Sequence, residues 1–122
     1  MRSAPTALIA TVIFLLVGTS VFAHHALQTQ FDIGRTVTLN GVVTRMDWSN
    51  PHVRLYLEVK QKSKRSTWEL YLGSPNQQIL NGWKIDTYRR GDHVTVTAYP
   101  ARDGSNVGFA KDVATVSGEP FK

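Results

Sequence analysis

The chain has 122 residues, which supports one domain, and carries a formal net charge of +5 with no cysteine. The absence of cysteine excludes a disulfide framework and thiolate metal sites. The basic excess is mild and spread out, apart from Lys60, Lys62, Lys64 and Arg65, which read as a solvated turn between two strands.

Residues 1–23 have the layout of a secretory signal peptide. Arg2 gives a basic start, residues 8–17 are apolar, and Val21, Phe22 and Ala23 place permissive residues before a cleavage site. Cleavage after Ala23 would make His24 the first residue. The alternative is a retained anchor, since residues 7–23 are uncharged and reach the short limit for a span.

Residues 24–34 are polar and aperiodic around Phe31, an N-terminal arm leading into a domain over residues 35–116. Residues 35–48 predict a long first strand. Val37, Leu39 and Val43 share one parity, Met46 and Trp48 share the other, and Gly41 lies between, which predicts a bulge or bend beside the glycine. Asn50-Pro51 breaks the chain into a turn. Residues 52–60 alternate regularly, with Val53, Leu55, Leu57 and Val59 inward and His52, Arg54, Tyr56, Glu58 and Lys60 outward.

After the basic turn, residues 67–72 predict a third strand with Trp68, Leu70 and Leu72 inward. Residues 74–83 predict the one helix. Ser74 is its N-cap, Pro75 its first helical residue, and Gln77 completes a capping box. Ile79, Leu80 and Trp83 form its apolar side, and Gly82 suits its exit. So short a helix needs docking, which predicts that this side packs on the strands as a plug. Residues 90–92, Arg-Gly-Asp, read as a tight turn. Residues 93–99 alternate with Val94, Val96 and Ala98 inward. Residues 102–104 turn again, residues 107–116 form the last strand, and residues 117–122 are a tail.

The order is three strands, a helix and two strands, mostly β. With a bent first strand, it matches a small five-stranded barrel like the oligonucleotide/oligosaccharide-binding (OB) fold. An open antiparallel sheet with one helix on a face is the rival.

Several short motifs occur together in one order. They are His24-His25 after the signal segment, Phe31-Asp32, Trp48-Ser49-Asn50-Pro51-His52, Gly73-Ser74-Pro75-Asn76, Gly82-Trp83, Gly91-Asp92-His93-Val94-Thr95-Val96 and Arg102-Asp103-Gly104. In this combination the chain resembles the small exported bacterial proteins of the DUF6152 family. The resemblance implies a periplasmic setting and assigns no catalytic residue.

Histidine is the best candidate for chemistry. A processed His24 would carry a free amine and an imidazole on one residue, a pair that chelates copper, with His25, His52 or His93 as further ligands. Alternation puts His52 and His93 on outward positions, and the barrel topology suggests one shared end. Solvated surface histidines are the plainer alternative. A second candidate is an outer face of Trp48, Arg54, Tyr56 and Tyr71, suited to stacking a glycan or holding a small anion or an envelope protein. Export makes nucleic acid a poor fit. Cross-strand aromatics that merely stabilise a sheet are the alternative. There is no G-x-S-x-G, no P-loop, no recognisable carboxylate pair and no cysteine nucleophile, so the sequence reads as a non-catalytic binding module.

Overall fold

The structure, a computed structural model, describes residues 26–116. The chain divides into two units, Met1–Gln30 and Phe31–Lys122. Of the first unit, residues 26–30 are described and helical. The signal segment, its cleavage site, His24, His25 and the tail at residues 117–122 lie outside the described residues.

The second unit is built from β1 (Val37–Asp47), β2 (Arg54–Gln61), β3 (Lys64–Tyr71), a short helix α1 (Pro75–Leu80), β4 (His93–Pro100) and β5 (Val107–Thr115). The strands close into a barrel in the order β1-β2-β3-β5-β4, antiparallel except for the β3–β5 pair. The expected strand-and-helix order is therefore the one observed. Alternation makes the wall: Leu55, Leu57 and Val59 on β2 and Val94, Val96 and Ala98 on β4 are buried, while their neighbours face out. Leu39, Val43, Val53, Leu70, Leu72 and Ala110 complete this core. Each fully buried Val or Leu is worth about 1.5–3 kcal/mol of transfer free energy.

β1 serves two neighbours. Its first half pairs with β4, from Val37↔Ala98 to Val42↔His93, and its second half with β2, from Gly41↔Val59 to Asp47↔Arg54. Gly41 sits where the two pairings meet, and a Cβ there would lie 2.8 Å from the Glu58 carbonyl oxygen. The glycine is therefore needed for close backbone approach. The bulge itself lies later, between Val43 and Arg45. It reverses the parity of the strand, so Val43 points inward before it and Met46 and Trp48 pack on the core after it.

The expected third strand starts earlier than residue 67. Gln61 pairs with Lys64 across a two-residue turn, and Lys62 takes the left-handed conformation at φ 57°. The basic cluster is thus part of a hairpin, with only Lys62 in the turn itself.

The helix corrects the expected packing. Ser74 does cap it, its Oγ accepting from the Gln77 N–H at 3.2 Å, and Gly82 follows at φ +88°. The Gln77 side chain does not complete the capping box; its Nε2 donates to Asn81 Oδ1 at 3.4 Å. Ile79 and Leu80 are 57% and 81% exposed, whereas Gln78 is buried. Gln78 Oε1 accepts from the Gly73 N–H at 3.1 Å, which ties the helix to the end of β3. Over fewer than two turns, apolar spacing cannot set the helix's rotation; a half-buried backbone donor that needs an acceptor sets it instead. The large side chains of this region that reach the core are Leu72 before the helix and Trp83 and Tyr88 after it, with ring centroids of the latter pair 4.9 Å apart. Among the described residues no helix is long and apolar enough to cross a membrane.

Candidate functional site

The β1 bulge decides what the outer face carries. By turning Met46 and Trp48 inward, it turns Arg45 and Asp47 outward, onto the same face as the outward residues of β2 and β3. Register then lays out two rows across three strands. One row is Arg45, Tyr56 and Glu69; the other is Asp47, Arg54 and Tyr71.

The rows are stitched together. Arg54 donates from Nη2 to Asp47 Oδ2 at 2.7 Å and from Nη1 to Glu69 Oε1 at 3.2 Å. The Tyr56 hydroxyl donates to the same Glu69 oxygen at 3.2 Å. The Arg45 guanidinium lies over the Tyr56 ring, 4.2 Å from its centroid. The Ser49 hydroxyl and then the Arg54 guanidinium hold the Asp47 carboxyl below the usual carboxylate range. Arg54 is in turn held above its usual value, chiefly by its hydrogen bond to Asp47. Two cations and two carboxylates cancel, so this polar patch has fixed donors and acceptors and no net charge.

Beside it lies an aromatic cluster. Tyr71 and Phe109 are partners in the β3–β5 pair. Phe31, 2% exposed, packs against both, with centroids 6.0 and 5.9 Å away. A bridge from Phe31 to Ala101 and the Asp32 N–H bond to the Pro100 carbonyl, 2.9 Å, hold it there. The His52 ring stands edge-on to Tyr71 and Phe109 at 5.8 and 6.3 Å. Its Nδ1 lies 2.8 Å from the Leu72 carbonyl oxygen. A carbonyl only accepts, so Nδ1 is the donor in this bond, which leaves Nε2 as the ring nitrogen not committed to the backbone.

Arg54, Tyr56 and Tyr71 therefore come together as the alternation predicted, but Tyr71 is roofed by Phe31 and is not an open stacking ring. Trp48 leaves the face for the core because the bulge reverses parity before it. His52 and His93 do not share one end. His93 is in register with Val42 and, across β1, with Glu58, while His52 lies six residues before Glu58. That is about 20 Å along the wall. The cause is the split pairing of β1, in which β4 takes the first half of the strand and β2 the second. Among the described residues no group of three or more His, Asp or Glu side chains is placed to hold a metal ion. Arg45, Glu69, Phe31 and Phe109 are members that sequence reasoning missed. Glu69 shares parity with Tyr71 and was within reach of that signal. Arg45 has the opposite parity to Met46 and Trp48 and was within reach of the same signal, whereas Phe31 required the path of the arm.

Among solved structures, the chain is similar to crystal structures of the mitochondrial single-stranded DNA binding protein Rim1 from S. cerevisiae. In one form the TM-score is 0.52 at 12% identity over 67% of this chain and 93% of that chain. In the other form it is 0.51 at 13% identity over 67% and 92%. At that identity the likeness establishes the OB-like barrel and nothing about ligands. No curated protein matches the chain. The model of a family described as "Family of unknown function (DUF6152)" matches residues 12–110, which includes the bulged strand, the His52 turn, the capped helix and most of the outer face. The chain is a member of the DUF6152 family.

Proposed function

We propose that this protein is an exported, periplasmic, non-catalytic binding module, and that its ligand face is the outer surface of β1, β2 and β3. The observation that carries the reading is the stitched patch of Arg45, Asp47, Arg54, Tyr56 and Glu69. Side chains held by one another spend no further conformational freedom when a ligand arrives. OB barrels use this wall, between the first and fourth connecting loops, for oligomeric ligands. The balanced charge favours a hydroxyl-rich glycan or a polar protein surface over a polyphosphate backbone, which needs unopposed cations. Export rests on residues 1–23, with Arg2, the apolar run and Ala23 in signal-peptide order.

The test has two parts. Intact mass of the protein purified from an exporting host should match a chain starting at His24; a mass for the whole chain would remove export by cleavage. Amide shifts during titration with neutral oligosaccharides should move at Tyr56 and Glu69 and be lost in Tyr56→Ala. A single-stranded oligonucleotide that binds the same face more tightly would replace the glycan reading.

A second reading, copper binding, is supported by the His52 ring, whose Nδ1 is committed to Leu72 and whose Nε2 is oriented by that bond. In this reading the His24 amine and imidazole form the chelate, with His25, His52 or His93 as candidate further ligands. Processed protein should then bind Cu(II) more tightly than the same protein extended by one residue at its N-terminus. Equal affinities would remove the free amine from the site.

A further inference from the structure

The barrel is closed, but among the described residues the start of β3 is paired on one side only. β5 pairs with β3 at Glu69, Leu70 and Tyr71, and the first five residues of β3, Lys64 to Trp68, have β2 on one side and no strand on the other among the described residues. The direction of the free groups follows from two bonds. The Glu69 N–H donates toward β5, to the Asn106 carbonyl, at 3.0 Å; the Leu72 N–H donates toward β2, to the Val53 carbonyl, at 2.8 Å. Backbone groups alternate sides along a strand. Arg65 and Thr67 therefore share the direction of Glu69 and turn their N–H and C=O groups to the open side. Both residues are exposed.

The edge is strongly basic. Lys60, Lys62, Lys64 and Arg65 are exposed in this hairpin, against Glu58, which pairs with Arg65 at 3.0 Å. Lysines on an edge disfavour pairing with another basic edge. The same charges select an acidic one, because specificity is a difference between partners. We propose that the β3 edge at Arg65 and Thr67 is a docking site for an extended acidic peptide segment of a partner protein, added as a further strand beyond β3. Two rungs of backbone bonds supply the pairing, and the hairpin cations face carboxylates on the added strand. The β3 edge is separate from the stitched patch, so the ligand face could fail its test while this site stands.

The experiment titrates the folded protein with a capped peptide of alternating glutamate and threonine, roughly eight residues long. Its readouts are amide shifts and amide hydrogen exchange. Binding should slow exchange at Arg65 and Thr67, leave Tyr56 unmoved, and weaken as salt is raised from about 50 to 500 mM. Thr67→Pro removes a donor on the open side only and should weaken binding by about tenfold. Because proline could also disturb the strand, the charge reversal Lys62→Glu with Lys64→Glu serves as the second variant, and it should abolish acidic-peptide binding while admitting the lysine–threonine counterpart. Equal binding of the two peptides to the native protein would overturn the proposal, as would no binding. Arg65 and Thr67 amides already protected in the free protein would overturn it too, since a second copy or another segment of this chain would then hold the edge.

Discussion

Gly41 has the tightest surroundings among the described glycines. Its missing side chain lets the β2 backbone approach where β1 changes partners. Gly41→Ala should destabilise the fold by about 1–3 kcal/mol, because the atom it meets is a carbonyl oxygen and not a mobile side-chain tip; urea denaturation would measure it. Asp47 makes a prediction of a different kind. Its carboxyl titrates below the usual range in the folded state, held by Ser49 and Arg54. A lowered folded value means that the carboxylate stabilises the fold above the ordinary carboxyl pKa, near 3.9, and loses that contribution as pH falls through the lowered value. Asp47→Asn should therefore be less stable than the native protein at neutral pH, and the two should converge in acid. Parallel denaturation curves with a constant gap across that range would remove Asp47 from the patch's energetics.

Among the elements, the helix is the one whose packing was least legible in the sequence. Its cap and its exit were written in Ser74, Pro75 and Gly82, because capping is local chemistry. Its rotation was not, because the deciding contact joins Gln78 to the Gly73 N–H of a preceding loop. Gln78→Ala should cost about 1–3 kcal/mol by stranding that donor. Leu80→Ala, at a position that looks like core by spacing, should stay within about 0.5 kcal/mol. The opposite ranking in thermal unfolding would restore the apolar side as the docked one. The same contrast runs through the strands. Period-two alternation in β2 and β4 named their buried residues outright. The bulge after Val43 was foreseen by the parity change of Met46 and Trp48 but misplaced beside Gly41, since a bulge is defined by the partner strand's register. The error over Trp48 and the absence of Arg45 from the expected face have another source: a bulge at either place turns Met46 and Trp48 inward and Arg45 outward, and that parity was not carried through to the face.

For the whole molecule, the OB-like topology was readable from element order and the bent first strand, while the neutral outer patch was not, because it depends on three strands meeting in register. One feature of that topology bears on how the barrel opens. Four of its five longitudinal joints are antiparallel ladders of six or more paired positions, and the fifth, between β3 and β5, has three. Local unfolding begins where fewest bonds must break together. The amides at Gly108 and Tyr71, which face each other's strand across that joint, should thus trade their hydrogens sooner than those of Val96 or Leu57, and the staves should part along that short joint before any other. Phe31 rests directly across it, on Tyr71 and Phe109, so the arm that leads into the barrel is also its clasp. Phe31→Ala should quicken exchange at Gly108 far more than at Leu57, loosening one side of the cask while the others hold.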